Sequence, residues 1–522
     1  MQEKPLHELI SPSERVFLTF SLMIGVFMAI LDTTIVDIVV PKMIAPLSTD
    51  LYGVQWVITA YMTSAASGIL IVESLERVIG LKKVFMSGLF LFTSASFLCG
   101  QAQSLGWMIA SRTLQGFGEA LIVVSAEAML FSSYPPQKRG LAMGIYGLGV
   151  SFAPAVGPTL GGYITEHIDW RWIFYINIPV GIMNFILALT FLPEHKPNSS
   201  HGKLNMVSFL LISLATVSLL ITLSKGQQHG WWNSEFILYT TFMAVFAFLL
   251  FLLSEVSSKE PLIDPSIFKV REFVVALTVY AFLLGFSMYQ VFYLIPLYYE
   301  NLKGISTFQT GINILPMALA IGLSSPVAGI LGDKRSEIMP LTVAVFVYLF
   351  GVLYILPTFD YFTPAFAASL KLIIVGIGMG FFFAPITNLA LKRLGEKTTL
   401  GVSIMHYVRF VGGSFGTAIA TNDLQRHLWE NFQRTTEIQA QQNVNQFLNS
   451  VYAYTSLYFH NYEDKAKAMF YNLQMLYAYS DAFSSTFFIA GLWGLLGSVP
   501  VFYLLTHYLL KGVRKWFGYI PS

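Results

Sequence analysis

The chain has 522 residues, of which 55% are hydrophobic and only 11% are charged, and its formal net charge is +2. Soluble domains carry about 25% charged residues, so this composition excludes a soluble protein of this size and predicts an all-α polytopic membrane protein. The small net charge says little about partners, although we expect no nucleic-acid partner, and the single cysteine, Cys99, excludes an internal disulfide.

Fourteen apolar segments are long enough to cross the roughly 30 Å hydrocarbon core of a bilayer as α-helices. We call them spans 1 to 14; in chain order they cover about residues 16–40, 53–75, 83–102, 106–130, 140–164, 173–193, 205–224, 234–255, 272–299, 308–331, 338–357, 364–391, 399–421 and 483–508. The first is too long for the apolar core of a signal peptide, so we expect it to remain as a helix. An even number of spans places both termini on one side.

The distribution of lysine and arginine predicts which side that is. The two termini and the alternate loops hold 20 of the 31 basic residues, whereas the short loops on the opposite face hold only Lys42, Arg171, Lys225 and Lys303. Cytoplasmic loops carry an excess of basic residues. We therefore expect both termini to be cytoplasmic and the chain to cross the inner (cytoplasmic) membrane.

Short sequences recur between the two ends of the chain. Glu73–Lys83 (ESLERVIGLKK) follows span 2, and Gly329–Arg335 (GILGDKR) follows span 10; Ala153–Gly162 in span 5 has a counterpart in Gly412–Ala418 of span 13. Two matched sets of six helices are typical of transporters. The predicted units are a cytoplasmic N-terminus (1–15), an N-terminal six-helix bundle (16–195), two inserted helices (196–260) and a C-terminal six-helix bundle (261–522) with an external loop (422–480).

Six motifs carry a family resemblance along nearly the whole chain. They are LDTTIVDIVVP (Leu31–Pro41), WVITAYM (Trp56–Met62), RTLQG (Arg112–Gly116), APAVGPTLGGYI (Ala153–Ile164), DWRWIFYINIPVG (Asp169–Gly181) and YVRFVGGSFGT (Tyr407–Thr417). On these motifs the chain resembles the 14-helix drug:proton antiporter family of the major facilitator superfamily (MFS), and within it the EmrB-like multidrug exporters. The resemblance implies the MFS fold, alternating access, efflux of drugs or toxic compounds, and no cofactor beyond the proton as coupling ion.

The chain departs from the family pattern at two places. Asp37 stands where the family usually has asparagine, and Glu73 and Arg77 occupy positions that usually hold a glycine and an acidic residue before the shared Gly80. The C-terminal copy of this cytoplasmic loop motif is better kept, with Gly332, Asp333, Lys334 and Arg335. Which half carries the conformational latch is therefore left open.

Asp32 and Arg112 are the candidates for proton coupling. Asp32 lies roughly 13 Å from the outer end of span 1, and Arg112 roughly 9 Å inside span 4 from the same face, so the two are expected to pair. Ionisable groups at membrane depth usually face a cavity or a partner. The alternative is a static ion pair that fixes helix packing. Asp37 lies about 140° around the helix from Asp32 and nearer the outer surface. We expect it to be solvated there or to bond to span 2.

Span 4 continues with Gln115 and Glu119 on the face of Arg112, because residues three and four apart are neighbours on a helix. Glu119 is a candidate for a second protonation site or for binding a cationic substrate, unless it only neutralises Arg112. Glu127, nearer the cytoplasmic end, is expected at a gate or surface. The predicted substrate cavity comprises Asp32, Gln115, Glu119, Tyr289, Tyr293, Phe381 and Arg409, although Arg409 could equally bond to backbone carbonyls and any one aromatic could face lipid.

A ridge of small residues follows span 5 at spacings of four: Gly149, Ala153, Gly157 and Gly161, followed by Gly162. Small residues let two helices approach closely in lipid, and Pro154 and Pro158 favour a bend. In exporters of the resembled family this glycine-proline motif is typical, and we expect it to seal the contact between the two halves; ordinary close packing is the alternative.

The external loop, about residues 422–480, alternates polar and apolar residues and is predicted to form a helical hairpin. The resemblance implies a periplasmic membrane-fusion adaptor (EmrA-like), and through it an outer-membrane channel, with this loop as the dock; a lid over the exit is equally compatible. The other expected partners are small hydrophobic or amphipathic substrates and the lipid bilayer.

No phosphate-binding loop, zinc cluster or nucleophile triad is present, so the sequence predicts a secondary active transporter and not an enzyme. Two alternatives remain beside export. One is uptake of a small molecule by proton symport, which the glycine-proline ridge disfavours. The other is a non-transporting membrane sensor or scaffold, which the charges within the spans disfavour.

Overall fold

The computed structural model describes residues 6–194, 205–334, 336–438, 448–452 and 462–516, and helices are the regular secondary structure of this part of the chain. Each predicted span falls within one helix or one bent helix pair. We number these α1 to α14: Pro12–Met43, Trp56–Ile69, Leu81–Gly100, Leu105–Ser133, Arg139–His167, Trp172–Phe191, Met206–His229, Glu235–Ser257, Arg271–Leu302, Thr307–Lys334, Ile338–Thr358, Ala365–Leu391, Thr398–Ile438 and Tyr462–Trp516.

Eleven helices of the described part are long and apolar enough to cross a membrane, and α2 with its continuation Val72–Ile79 would make a twelfth. That pair bends by 53° at the break. The other two predicted spans lie within α5 and α13, which have 29 and 41 residues. The result is an all-α polytopic membrane protein.

Helix α5 lies at the centre of the molecule, packed against α1 of its own half and against α10 and α12 of the other half. The inserted helix α7 packs against α2 and α13, so it bridges the two halves; the hydroxyls of Thr216 in α7 and Tyr407 in α13 lie 2.8 Å apart. Helix α8 packs against α7 and exposes apolar residues such as Phe242 and Leu253 on its outer side. An apolar outer face of this kind suits contact with lipid.

The turns that follow α2 and α10 lie at the same end of the bundle, which we call the Asp333 end. Gly80 ends the continuation of α2 with φ of 82°, a conformation that favours glycine because it has no Cβ. At the opposite end, α13 continues as helix to Ile438 and α14 begins at Tyr462. The rings of Phe432 and Tyr471 are 5.4 Å apart, so the described arms of the external loop pack together as helices.

Candidate functional site

Asp32 lies at the centre of a closed hydrogen-bond network between α1, α4 and α6. Its Oδ2 accepts from Arg112 Nη1 at 2.6 Å, and its Oδ1 accepts from Gln115 Nε2 at 2.9 Å and from Asn177 Nδ2 at 2.7 Å. The side chains of Asp32 and Arg112 are 0% and 1% exposed. The sequence prediction that these two residues pair is therefore met by the geometry.

Arg112 is held from several sides. Its Nη1 also donates to Gln115 Oε1 at 2.8 Å, one turn further along α4, and its Nε donates to the carbonyl oxygen of Val57 at 3.4 Å. The guanidinium carbon lies 3.8 Å from the centre of the Tyr61 ring. A guanidinium stacked on an aromatic ring and bonded to a carboxylate keeps its charge in a dry site.

Asn177 was not identified from the sequence as a site residue, although it belongs to the DWRWIFYINIPVG motif. Its amide donates both to Asp32 and to Ser96 Oγ at 3.0 Å, and Ser96 in turn donates to the carbonyl oxygen of Phe174 at 2.9 Å. Asp32 therefore accepts three hydrogen bonds, each from a different side chain. Breaking any of them changes how readily this carboxylate takes a proton.

Glu119 lies two turns along α4 from Arg112 and is 4% exposed. Its Oε2 has no hydrogen-bond partner, and its carboxylate is close enough to Tyr61 and Arg409 to interact with both. A buried carboxylate without a full set of partners is costly while it is ionised. This position thus has the properties of a protonation site, and its role stays a prediction.

A small cavity lies between the two halves, below the Asp32 network. It is lined by Glu127 and Tyr146 of the N-terminal half, by Tyr280, His406 and Arg409 of the C-terminal half, and by apolar side chains such as Phe383. The space that the centre of a water molecule can occupy in this cavity measures about 10 Å³, which is enough for about one water molecule. Pockets for drug-sized ligands have volumes of about 300–1,000 Å³, so the centre is closed in this conformation.

Of the residues predicted to line the substrate cavity, Arg409 does so, and its Nε has no hydrogen-bond partner. Asp32 and Gln115 are instead bonded to each other within the network. The lining of this small cavity does not include Tyr289, Tyr293 or Phe381; Tyr289 packs against Gly413 of α13. The prediction for these aromatics concerns a more open conformation and stays untested.

His406 is a second residue that the sequence analysis missed. Its Nε2 lies 2.5 Å from Glu127 Oε2, so a histidine of α13 bonds to a glutamate of α4 across the two halves. Glu127 is 4% exposed and does not lie at a surface. The signal available in the sequence was a histidine within the apolar start of span 13, three residues before Arg409.

The small-residue ridge of α5 faces α1 of the same half, not the opposite half as expected. A Cβ added at Gly161 would lie 3.2 Å from Ile35, and one added at Gly157 would meet the side chain of Thr34. Ala153 is fully buried, whereas the side chains of Pro154 and Pro158 lie outside the described part of the structure.

The contact between the halves is made by other residues of α5. A Cβ added at Gly140 would lie 2.5 Å from the carbonyl oxygen of Gly329, and one added at Gly144 would lie 2.6 Å from the Cα of Pro326. Gly162 faces Phe308 of α10 with room for a methyl group, its Cβ position being 3.7 Å from the nearest atom. Helix α5 therefore contacts the other half through a different face from the ridge, and the sealing role stays a prediction.

The C-terminal loop motif caps a helix of the other half. Asp333 accepts hydrogen bonds from the backbone N–H groups of Gly140 at 2.8 Å and Leu141 at 2.9 Å, at the start of α5. The partial positive charge at a helix N-terminus favours a carboxylate there. Gly332 is buried and Lys334 exposed beside it, while Arg335 lies outside the described residues.

The N-terminal copy behaves differently. Glu73 and Arg77 pair with each other at 2.5 Å within one helical turn, and Glu76 is the acid that contacts Thr399 at the start of α13. The side chain of Asp37 lies outside the described part of the structure, so its expected place near the mouth is not addressed.

Comparison with known proteins agrees with this architecture. Residues 22–417 match the Major Facilitator Superfamily. The chain is 28% identical over 448 residues to the multidrug export protein EmrB of Escherichia coli (strain K12), covering 85% of each chain. It is 30% identical over 406 residues to the multidrug transporter protein MdtP of Bacillus subtilis (strain 168), covering 77% of this chain and 74% of the relative.

Among solved structures, the fold is similar to that of the MFS proton:xylose symporter XylE bound to 6-bromo-6-deoxy-D-glucose. The TM-score is 0.58 at 12% identity, and the match covers 94% of this chain and 95% of the other. This likeness concerns the fold alone. Together, the helical architecture and the match over residues 22–417 establish that the chain is a multi-pass membrane transporter, not an enzyme, and that it belongs to the Major Facilitator Superfamily.

Proposed function

We propose that this chain exports hydrophobic or amphipathic compounds, including drugs, across the inner (cytoplasmic) membrane in exchange for protons. Both termini are then cytoplasmic, and the cavity between the halves opens alternately to either side. The observation that carries the proposal is the fully buried Asp32, held by Arg112, Gln115 and Asn177 in the centre of the N-terminal half. The names of the relatives EmrB and MdtP supply the substrate class.

The geometry suggests how the proton is loaded and released. In the conformation described, burial disfavours the charge of Asp32, and its three donors stabilise that charge. The donors come from α4 and α6, while Asp32 belongs to α1, so a relative shift of these helices lengthens the bonds. Loss of the Arg112 contact in a dry site favours the protonated carboxyl. Proton binding and helix movement are coupled in this way.

The external hairpin supports a partner proposal. The described arms of α13 and α14 extend beyond the bundle and carry exposed apolar side chains, among them Trp429, Met469 and Tyr471. We propose this surface as the dock for a periplasmic membrane-fusion adaptor that leads to an outer-membrane channel. Co-purification of this chain with a protein that has a single membrane anchor tests it.

The decisive experiment measures proton movement driven by a fluorescent hydrophobic dye in proteoliposomes. We expect wild type to couple dye flux to proton flux and Asp32→Asn to bind dye without moving protons. Asp264→Asn is the matched control, because Asp264 pairs with Lys397 outside the network and should leave coupling unchanged. If Asp32→Asn folds and couples normally, Asp32 is not the carrier.

The direction of transport separates export from proton symport. With the proton gradient inverted, an exchanger moves dye against the direction of the protons, whereas a symporter moves both together. A scaffold or sensor shows no dye-dependent flux under either gradient. The same vesicles therefore decide between the three functions.

A further inference from the structure

The contact between Glu127 and His406 joins the two halves at a point that the Asp32 network does not reach. Glu127 lies six residues before the end of α4 and His406 eight residues after the start of α13, so both lie about 9–12 Å from the Asp333 end. Both side chains are 5% exposed. Nε2 of His406 and Oε2 of Glu127 are 2.5 Å apart, within hydrogen-bonding distance, and a hydrogen bond to an ionised carboxylate is stronger than one between neutral groups.

A positive charge, that of Arg409, lies beside this pair. Arg409 lies one turn along α13 from His406 and lines the same cavity. Within the described residues its Nε has no hydrogen-bond partner and its guanidinium forms no ion pair. Glu127 is the acid that lines this cavity together with Arg409, and Glu119, two turns away on α4, also interacts with Arg409. The titratable and charged groups around His406 are Glu127 of α4, Tyr146 of α5, Tyr280 and Tyr289 of α9, and Arg409 of α13.

The hydrogen bonds indicate how many protons the pair holds here. His406 Nδ1 is buried and has no hydrogen-bond partner in the described part of the chain, so a doubly protonated imidazole would bury an N–H without an acceptor there. The arrangement instead suits an imidazole with one proton, donated from Nε2 to the Glu127 carboxylate. The Tyr146 hydroxyl lies 3.4 Å from the same Nε2 and is a further polar neighbour of this nitrogen.

We propose that Glu127 and His406 form a second proton site, separate from Asp32, whose hydrogen bond holds the two halves together near the Asp333 end and breaks when a second proton arrives. That proton takes the net charge of the pair from −1 to 0, so the positive charge of Arg409 loses its counter-charge within this cavity. The halves then separate at this end, water enters, and the charges become solvated. The inference rests on the proposed alternating-access function but not on Asp32 as carrier.

The test measures the distance between the halves without substrate or gradient, so it is independent of transport. Spin labels are placed on Gln137→Cys and Glu396→Cys, two exposed positions at the Asp333 end of opposite halves. The background is Cys99→Ser, because Cys99 is the single native cysteine. Pulsed electron spin resonance then records the distance distribution in nanodiscs between about pH 8 and about pH 5, the range that brackets histidine.

We expect the ratio of long to short distances to rise about tenfold to hundredfold on acidification, the range that one charge-assisted hydrogen bond represents. Glu127→Gln, which mimics the protonated carboxyl, should show the long distance already at high pH, and His406→Gln should do the same. Glu430→Gln, which changes an exposed pair with Arg426 at the opposite end of the bundle, should keep the wild-type pH response. A pH-independent distribution in wild type, or a normal response in both Glu127→Gln and His406→Gln, would overturn the proposal.

The exchanged pair, Glu127→His with His406→Glu, separates proton binding from mere packing. It retains one acid and one imidazole at hydrogen-bonding distance, so the pH response should return in part even though both positions are changed. If the single variants fail to fold and the exchanged pair folds without a pH response, the contact is structural and the proposal is wrong.

Discussion

The backbone of Gly140 in α5 lies directly against the backbone of Gly329 in α10, so that a Cβ on either residue would overlap the backbone of the other helix. We expect Gly140→Ala and Gly329→Ala each to destabilise the protein by about 1–3 kcal/mol, because backbone cannot move aside as a flexible side chain can. Thermal unfolding in detergent and dye export in vesicles measure the two consequences.

Gly162→Ala is the control for this prediction, since it lies on the same helix and faces the same partner. Its added Cβ would be 3.7 Å from the nearest atom of Phe308. Alanine also stabilises a helix by roughly 0.5–1 kcal/mol relative to glycine, so the stability of Gly162→Ala should be unchanged or slightly higher. Equal losses in Gly140→Ala and Gly162→Ala would show that the close approach is not what matters.

Replacing Arg112 should destabilise the protein more than replacing Asp32. Arg112→Ala leaves Asp32 buried without its counter-charge, which costs about 3–5 kcal/mol. Arg112→Lys keeps the charge but loses the bond to Val57 and the stacking on Tyr61, so it should fall between Arg112→Ala and wild type. Unfolding temperatures of the purified variants measure this order.

The double variant tests the reason for that loss. In Asp32→Asn with Arg112→Ala no carboxylate remains buried without a partner, so part of the stability should return; coupling energies between contacting residues are about 0.5–3 kcal/mol. Additive losses in the double variant would contradict a direct interaction.

Two glutamates of α4 should respond in opposite ways to the same substitution. Glu119 Oε2 has no partner, whereas Glu127 Oε2 is bonded to His406. Glu119→Gln should therefore leave stability unchanged or raise it by about 1 kcal/mol, and Glu127→Gln should lower it by about 1.5–3 kcal/mol. Denaturation of both variants under the same conditions measures these changes in stability. A larger loss of stability in Glu119→Gln than in Glu127→Gln would mean that the Glu119 carboxylate has an essential partner.

Asp333 should stabilise the start of α5 from the other half. In Asp333→Asn the amide can accept from only one of the two N–H groups and has no charge, so we expect a loss of about 0.5–2 kcal/mol. Asp264→Asn, at the same end but in a partly exposed pair with Lys397, should cost less than about 1 kcal/mol. Unfolding temperatures compare them, and equal effects would argue against a cap at Asp333.

The sequence predicted the Asp32–Arg112 pair because both residues lie at similar depth in helices that the family motifs place together. It could not predict that Asn177 completes the network, since an asparagine in an apolar span carries no signal of its own. For the ridge of α5, the sequence predicted a close helix contact but not the neighbour that makes it. Spacings of four define one face of a helix, but they do not say which neighbour that face contacts, and here it contacts α1.

By itself the sequence determined that this is an all-α membrane protein and predicted fourteen spans in two matched sets of six, because apolar length, basic loops and repeated motifs are local properties of the chain. Only the tertiary structure decided which charges meet. Glu127 and His406 are 279 residues apart in the chain and 2.5 Å apart in space. That distance depends on how the two halves dock, and the docking is fixed by backbone contacts between glycines of α5 and α10, which no periodicity within either helix encodes.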